Sequence, residues 1–425
     1  MGRIDSILAT RLKRKSQTCK VFELKVDQSK LSQKSRKHLE LLFLEAKWFY
    51  NYCLAQPYIN KANTTLKSVP VKVKDIYEDR KLNVLMSHMK QSIKRRIFIS
   101  LKSLSTKKKN GRKVGKLKFK SIISSIPLPQ YHQDFDFNFK KSTVRLSGLK
   151  QKLRVKGLKQ IPENVEIANA HIIKKDKDYF FHITTFATKE EKQVPEASIG
   201  IDFGCKTQLT LSNGIKIEYQ VQPSFRLKRL DRRISKKVNG KIGKNRQSNN
   251  RRKLQFQRRK EYFKLISKKK DIKNKIVNAL TKNYKVICFQ DENIKAWAAS
   301  NHGKKIQTTG IGGIISALKH KAHTPILVNK FFSSTQLCPK CGNKRKLNLD
   351  ERVYNCECGY KEDRDIHAAR NILVEGIKRV PMDYRDFKPE KNLSSTLFDT
   401  LSKINGIKIS KIGSMSQEAT EIRMW

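Results

Sequence analysis

Three acidic residues lie at the ends of apolar segments that are far apart in the sequence. Asp202 ends the strand-like segment ASIGID, Glu292 follows the apolar segment KVICF, and Asp365 precedes an apolar helical repeat. A carboxylate in such a place is costly to bury unless a proton or a cation meets it. Carboxylates that converge on two divalent cations support phosphodiester hydrolysis. The three acids are therefore candidates for a magnesium-dependent hydrolytic site.

Each of these acids also has a purely structural interpretation. Asp202 can be a turn residue, and Glu292 can be a solvated surface residue. Asp363 or Asp365 can be the N-cap of the helix that follows them. Taken one at a time the three signals are weak, so the assignment depends on the other motifs of the chain.

Four of the eight cysteines lie in one short segment and have the spacing of metal ligands. They form the pairs CPKCG and CECGY, which contain Cys338, Cys341, Cys356 and Cys358. Four thiolates are typical ligands of tetrahedral zinc, and the glycines allow the backbone to turn towards the metal. Because four cysteines leave no open coordination position, we expect a structural zinc ion. The second pair departs from the usual spacing, since it has one intervening residue where two are common.

The remaining cysteines are scattered singly, which fits small buried side chains in a reducing compartment better than a disulfide framework. No segment approaches the run of about 18 apolar residues that a membrane span needs. The sequence therefore predicts no membrane association, and we expect a cytoplasmic protein associated with the nucleoid.

The chain is strongly basic, with 93 lysines and arginines against 37 acidic residues and a formal net charge of +56. A small acidic substrate does not explain so much charge, whereas a long nucleic acid neutralises it. The densest basic stretch lies within residues 225–283, where the apolar spacing is helical and acids are scarce. Its candidate nucleic-acid-binding residues are Arg232, Arg233, Arg251, Arg252, Arg258 and Arg259.

The elements around these motifs predict two parts, joined by a linker at residues 189–196. The first part has helical spacing between about residues 32 and 105, followed by strand-like segments rich in phenylalanine. Those strands fit either a nucleic-acid-binding barrel or an ordinary sheet core, and their pattern alone favours the sheet core.

The second part begins with three consecutive strand-like segments, the last two joined by the turn Asn213-Gly214. Helical segments then alternate with apolar strands at residues 286–289 and 325–328. This order predicts a mixed α/β sheet of the ribonuclease-H type. From residue 378 onward the chain mixes Pro, Ser, Asn and Lys, which predicts a flexible or loosely docked tail.

Four motifs in this order resemble those of the TnpB family. They are IGIDFG at residues 199–204, DENIK at 291–295, the two cysteine pairs, and DRDIHAARNIL, which contains Asp365. The family consists of transposon-associated RNA-guided DNA nucleases that are related to type V CRISPR effectors. The resemblance is strong over roughly residues 190–375 and extends more weakly into the N-terminal half, through WFYNYCL and GRKVGKLKFK.

The resemblance implies an α/β RuvC-like (ribonuclease-H-type) nuclease domain with a zinc-ribbon insertion. A wedge-type β-barrel domain with an inserted helical recognition lobe would precede it. On this basis we expect the wedge domain and its lobe at residues 1–190 and the first part of the nuclease domain at 197–335. The zinc ribbon would occupy 336–361, the last nuclease helix 362–377, and the flexible tail 378–425.

By the same resemblance, Asp202, Glu292 and Asp365 are the catalytic acids that bind two magnesium ions. Gln290 is a second candidate for the middle position, because it stands where many relatives carry Glu and shares strand parity with Glu292. Of the two we choose Glu292. His367 stands where the family has Asn, and a histidine there can still donate a hydrogen bond to a phosphate.

The implied function is cleavage of double-stranded DNA next to a short flanking motif, after a guide RNA has paired with one strand. The partners would be the guide RNA and the target DNA, and we expect a monomer. Three alternatives stay open. They are a type V CRISPR effector, a nuclease-impaired RNA-guided DNA-binding repressor, and a transposase that acts without RNA.

Overall fold

The computed structural model describes residues 3–73, 76–176, 178–189, 195–236, 248–299, 303–348, 350–379 and 391–412. The chain divides into two compact units, Met1–Glu191 and Lys192–Trp425. Each unit has its own hydrophobic core. Within the described ranges, none of the helices combines the length and the apolar character that a membrane crossing requires.

The N-terminal unit combines helices with an antiparallel sheet. Its elements are α1 (Arg3–Lys15), β1 (Gln17–Val26), α2 (Gln33–Ala55), β2 (Ser68–Val73), β3 (Ile76–Lys81), α3 (Ser87–Lys109), β4 (Ser125–Leu128), β5 (Phe135–Asn138), β6 (Thr143–Leu146), β7 (Leu153–Lys156), β8 (Glu166–Lys175) and β9 (Asp178–Thr188). Seven strands form one sheet in the order β4-β8-β9-β1-β7-β6-β5, and β2 pairs with β3 separately. Helices α2 and α3 pack against each other and against β4.

Helices α2 and α3 lie in the region where the sequence predicts an inserted helical lobe. Ser32 caps the start of α2, because its hydroxyl accepts a hydrogen bond from the Ser35 N–H at 3.2 Å. Buried apolar residues then recur along α2 at helical spacing, namely Leu39, Leu42, Ala46, Phe49 and Cys53. The strands of the large sheet pair antiparallel, and the description of this unit as a wedge-type barrel stays a prediction.

The C-terminal unit contains the candidate site. Its elements are β10 (Ser198–Phe203), β11 (Leu209–Leu211), β12 (Ile215–Tyr219), α4 (Phe225–Lys236), α5 (Asn249–Asn283), β13 (Val286–Gln290), α6 (Ile294–Ala299), α7 (Gly303–Thr309), α8 (Ile311–Lys321), β14 (Thr324–Val328), β15 (Val353–Asn355), β16 (Lys361–Asp363), α9 (Arg364–Ile377), α10 (Lys391–Ser402) and β17 (Ile407–Lys411).

Six of these strands form a mixed sheet in the order β14-β13-β10-β11-β12-β17. Strands β10, β13 and β14 run parallel, whereas β10, β11, β12 and β17 pair antiparallel in succession. The mixed α/β sheet predicted from the sequence is therefore confirmed, and its assignment to the RuvC-like type stays a prediction. Strands β15 and β16 form a separate two-stranded ribbon.

The turn between β11 and β12 sets the register of the first three strands. Gly214 has a φ of 87°, a conformation that favours glycine, and the Asn213 side chain accepts the Ile215 N–H at 3.3 Å. The resulting register places Thr210 opposite Asp202 on one side and opposite Lys216 on the other. These three side chains therefore lie in one row and share a face of the sheet.

Helix α9 lies unusually close to β10 and β13, because glycines stand at the contacts. A Cβ at Gly200 would lie 2.8 Å from Leu373 Cβ, and it would overlap the carbonyl oxygen of Ala369. A Cβ at Gly376 would lie 2.7 Å from Cys288 Cβ. Real side chains do not tolerate such distances, so the close approach of α9 depends on these two glycines.

The predicted flexible tail is wrong for residues 391–412. Helix α10 buries Leu397 and Leu401 in the core of this unit, and Ile404 follows them. Strand β17 extends the sheet by pairing with β12, with Ile409 opposite Ile217. The free edge of β12 offers hydrogen-bonding groups that this segment satisfies. The sequence pattern did not predict these elements, because polar residues surround their few apolar positions. Residues 380–390 and 413–425 lie outside the described part of the chain.

Candidate active site and metal-binding ribbon

The three predicted acids come from three elements that meet at one edge of the mixed sheet. Asp202 is the second-last residue of β10, Glu292 follows the end of β13 by two residues, and Asp365 lies in the first turn of α9. Strands β10 and β13 are parallel, so their carboxyl ends lie at the same edge. Because α9 packs closely on both strands, its first turn is held near that edge.

The electrostatics of the site show that Asp365 and Glu292 lie near enough to Asp202 for their charges to act on it. Burial first, and then the negative charges of Asp365 and Glu292, raise the pKa of Asp202 to about 8. Burial and the neighbouring Asp291 also raise the pKa of Glu292. Carboxylate oxygens are the donors that magnesium prefers, so the residue types suit a divalent cation. Within the described ranges, the ligand atoms that lie within 4.8 Å of one another in a group of three or more are those of the four cysteines, so the acids are less tightly gathered.

Gln290, the other candidate for the middle position, has a different role. It is buried, and its amide group donates to the carbonyl oxygens of Phe332 at 2.9 Å and Asn329 at 3.3 Å. The Ser334 hydroxyl donates to its carbonyl oxygen at 3.2 Å. Gln290 thus fastens the loop that follows β14. The expected shared strand parity with Glu292 does not apply, because β13 ends at Gln290.

The expectation that His367 can donate to a phosphate is wrong. Its side chain is fully buried, and it stacks on the Tyr354 ring at a centroid distance of 4.0 Å. Asn371 lies 3.1 Å from its Nε2 atom. Burial, together with the nearby Arg370, lowers the pKa of His367 to about 4. His367 therefore joins the ribbon to α9 and does not face a substrate.

Three further residues surround the acids. The sequence offers Asp363 as an N-cap, whereas the roles of Lys216 and Arg364 were missed. Asp363 is the N-cap of α9, since its Oδ1 accepts the N–H groups of Asp365 at 3.0 Å and Ile366 at 3.2 Å. Lys216 Nζ lies 2.8 Å from Asp363 Oδ2 and 3.9 Å from Asp365 Oδ2. Arg364 Nε lies 3.5 Å from Asp365 Oδ1. Both oxygens of Asp365 are thus near a cationic side chain.

The four clustered cysteines come together as the sequence predicts. Their sulfur atoms all lie within 4.8 Å of one another, with Cys338 and Cys358 at 3.6 Å and Cys341 and Cys356 at 3.4 Å. Tetrahedral zinc with bonds of about 2.3 Å separates its sulfur ligands by about 3.8 Å, so the cluster fits zinc. The glycines of the two knuckles, Gly342 and Gly359, have positive φ values of 76° and 83°. The short spacing of the second pair does not prevent its convergence with the first.

The ribbon is joined directly to the helix that carries the third acid. Strand β16 ends at Asp363 and α9 begins at the next residue. Arg370 of α9 pairs with Glu362 of β16 at 2.7 Å. On the other strand of the ribbon, Tyr354 donates to the Gln336 carbonyl oxygen at 3.2 Å. A structural metal in the ribbon would therefore help to fix the start of α9.

Helices α4 and α5 present most of the predicted nucleic-acid-binding residues. Arg232, Arg233, Arg252, Arg258 and Arg259 are exposed, and Arg251 is half-buried. Arg258 forms an ion pair with Asp231 across the two helices. The exposed aromatic residues Tyr262 and Phe263 follow on the same helix, and pattern reasoning had missed them. The sequence also predicts an interruption of this helical stretch near Asn239-Gly240 and Gly243, which lie outside the described residues.

The fold and the site define an α/β protein in which a four-cysteine ribbon leads into a helix that carries one of three clustered acids. Residues 314–372 match the model of the Cas12f1-like TNB domain. A Streptomyces pristinaespiralis protein, provisionally named an RNA-guided DNA endonuclease, is 25% identical over 57% of this chain and 61% of its own length. TnpB-like protein L79 of Acanthamoeba polyphaga mimivirus is 24% identical over 48% of this chain and 42% of its own length.

These matches confirm the predicted resemblance to the TnpB family. The matched region spans less than two thirds of either relative. Among solved structures, that of the Cas12f1-sgRNA-target DNA complex is similar with a TM-score of 0.47 and 14% identity, over 80% of this chain and 83% of that chain.

Proposed function

We propose that the chain is an RNA-guided DNA endonuclease of the TnpB type, which cuts target DNA next to a short flanking motif. The observation that carries the proposal is the convergence of Asp202, Glu292 and Asp365 at one edge of the sheet. The proposal is also supported by the relatives, one of which is provisionally named an RNA-guided DNA endonuclease.

In this proposal, Asp202, Glu292 and Asp365 hold two magnesium ions. Magnesium bound there supplies an activated water and stabilises the charge on the leaving oxygen. The protein itself positions the acids: the parallel strands β10 and β13 hold the first two, and α9 holds the third. Arg364 lies beside Asp365 and limits the directions in which its carboxylate can point.

The basic helices would hold the nucleic acids. The exposed arginines of α4 and α5 can neutralise backbone phosphates whatever their sequence. Tyr262 and Phe263 offer faces on which unpaired bases can stack. Sequence specificity would come from pairing between the guide RNA and one DNA strand, and not from the protein.

The proposed domains follow the expected boundaries, except in the tail. Residues 197–335 and 362–377 would form the RuvC-like nuclease domain around the ribbon at 336–361, and residues 1–190 would form the wedge domain with its helical lobe. We now assign 391–412 to the nuclease domain, because α10 and β17 complete its core and its sheet.

The nuclease-impaired alternative loses its main sequence support in this proposal. That support was a glutamine where an acid was expected. Gln290 is occupied in fastening the loop after β14, and Glu292 is the residue whose charge acts on Asp202. The position that bears on activity is therefore 292, where an acid is present.

The first experiment is to express the protein with its native flanking DNA, purify it in moderately high salt, and sequence the RNA that stays bound. We expect one discrete RNA species that ends in a variable segment. Heterogeneous RNA that dissociates as salt rises would exclude the guided mechanism and leave a transposase that acts without RNA, or a nonspecific nuclease.

The bound RNA then allows a matched test of the acids. Glu292→Gln should abolish cutting of a DNA that matches the RNA. Asp291→Asn is the control, because Asp291 is an exposed neighbour that pairs with Lys319. If both variants cut as well as the wild type, Glu292 is not a catalytic acid.

A further inference from the structure

Lys216 is a basic side chain on β12 that reaches the acids at the start of α9, two strands away from Asp202 in the sheet. The register places it in the same row as Thr210 and Asp202, so its side chain emerges on the face that carries Asp202. Two strand spacings separate the backbones of Lys216 and Asp202 by about 10 Å. A lysine side chain spans much of that distance.

The ammonium group of Lys216 ends between two carboxylates at the start of α9. It lies 2.8 Å from Asp363 Oδ2 and 3.9 Å from Asp365 Oδ2, and 12% of the side chain is exposed. Asp363 thus has a separate use for each oxygen, since Oδ1 caps the helix and Oδ2 binds Lys216.

Helix stability does not account for a lysine at this place. The N-terminus of a helix carries a partial positive charge, which disfavours a nearby cation. Partial burial of an ammonium group also costs free energy. What favours the lysine is the negative charge around it. Asp363 and Asp365 lie beside its ammonium group, the charges of Asp365 and Glu292 act on Asp202, and Arg364 is a further cation beside Asp365.

We propose that Lys216 is the built-in counter-ion of the acid cluster. It orients Asp365 and stabilises the converged acids while no divalent cation is bound, and it thereby weakens the binding of that cation. This inference rests on the proposed function, since it assumes that the acids bind magnesium. Lys216 is a positioning residue: its charge acts on the metal site through Asp365 and Asp363.

If this is correct, replacing Lys216 lowers the stability of the metal-free protein and raises its affinity for the metal. Without divalent cations, Lys216→Met should lower the melting temperature, because the acids lose a counter-ion. With magnesium, the same variant should reach a given rise in melting temperature at a magnesium concentration roughly tenfold lower than the wild type, because a like charge near Asp365 is gone. Lys216→Arg retains the charge and should stay close to the wild type.

The experiment is thermal unfolding of the full-length protein over a magnesium titration, with no nucleic acid present. Magnesium is removed beforehand by dialysis without a chelator, so that metal in the cysteine ribbon is retained. Lys285→Met is the matched control: Lys285 is also a mostly buried lysine in an ion pair, with Glu196 at 2.9 Å. Lys285 precedes β13 and Glu292 follows it, so the two residues lie at opposite ends of that strand.

The outcomes separate this inference from the proposed function. If Lys216→Met needs about tenfold less magnesium than the wild type for the same rise in melting temperature, and Lys285→Met needs as much as the wild type, the counter-ion role is supported. A lower melting temperature with an unchanged magnesium dependence overturns it and leaves a simple link between β12 and α9. Lys216→Gln gives the same comparison if the Met variant does not fold. If magnesium stabilises the wild type no more than Asp202→Ala, the metal site itself is absent and both proposals fail.

Discussion

Replacement of Gly200 by alanine should separate α9 from the sheet. The new Cβ would overlap the Ala369 carbonyl oxygen and lie 2.8 Å from Leu373 Cβ and 2.9 Å from Leu373 N. Two of these atoms belong to the helix backbone, which cannot rotate away as a side-chain end can. To restore ordinary contacts, α9 must move by about 1 Å.

The cost of this movement can be worked from its parts. Overpacking typically lowers the free energy of unfolding by about 1–3 kcal/mol. Because the obstructing atoms belong to the backbone, we expect Gly200→Ala to cost about 3 kcal/mol. In a unit of this size that lowers the melting temperature by roughly 6–12 °C. Because α9 carries Asp365 in its first turn, a shift of about 1 Å should also lower guided DNA cutting by roughly a hundredfold.

Thermal unfolding and guided cutting are measured on the same preparation. Gly313→Ala is the control, because a Cβ there would meet only the flexible Lys273 side chain at 3.4 Å. Gly313 lies within α8, so alanine should raise stability by up to about 1 kcal/mol. If Gly200→Ala melts within about 2 °C of the wild type and cuts normally, α9 does not depend on the glycine contact.

Three further predictions concern the acids, the loop and the ribbon. In metal-free protein, native Asp202 keeps a proton that the unfolded chain loses above its ordinary pKa of 3.8, so stability should fall as pH rises from about 4 to 8. Asp202→Asn should remove this contribution to the loss of stability, so that at pH 8 the variant is more stable than the wild type by at least about 2 kcal/mol. Denaturant unfolding measures the difference, and equal pH profiles of the two proteins would contradict the raised pKa. Gln290→Glu should lower the free energy of unfolding by about 2–4 kcal/mol, because a carboxylate cannot donate to the Asn329 and Phe332 carbonyls. The variant should cut DNA no faster than the wild type, and faster cutting would mean that position 290 faces the metals. Cys341→Ser should lower the zinc content measured by mass spectrometry and also slow guided cutting, since the ribbon leads into α9; unchanged zinc would exclude Cys341 as a ligand.

The sequence was sufficient to predict the convergence of the acids and of the cysteines. Asp202 and Glu292 end apolar strands, and parallel strands bring such ends to one edge. The cysteine spacing predicts a cluster, which the structure contains. The cysteine signal is local, whereas the acids are far apart in the sequence and their assignment depends on the order of all four motifs.

The missed features depend on register and on close packing. The position of Lys216 follows from the pairing that the Asn213-Gly214 turn imposes, and counting outward from that turn places it opposite Thr210. The different roles of Gln290 and Glu292 depend on where β13 ends, which apolar patterning does not locate to one residue. Strand β17 is short and polar on one side, so its own pattern does not predict a strand. Its position is indicated only by the edge of β12, which would otherwise be unpaired.

The central claim is that guide RNA directs cutting by the clustered acids, and reprogramming tests it most directly. The variable segment of the bound RNA is replaced by one that matches a new DNA next to the same flanking motif, and cutting is measured with magnesium present. We predict cutting at the new site, none at the old one, and none by Asp202→Ala. Cutting that ignores the RNA sequence, or that persists in Asp202→Ala, would contradict the account.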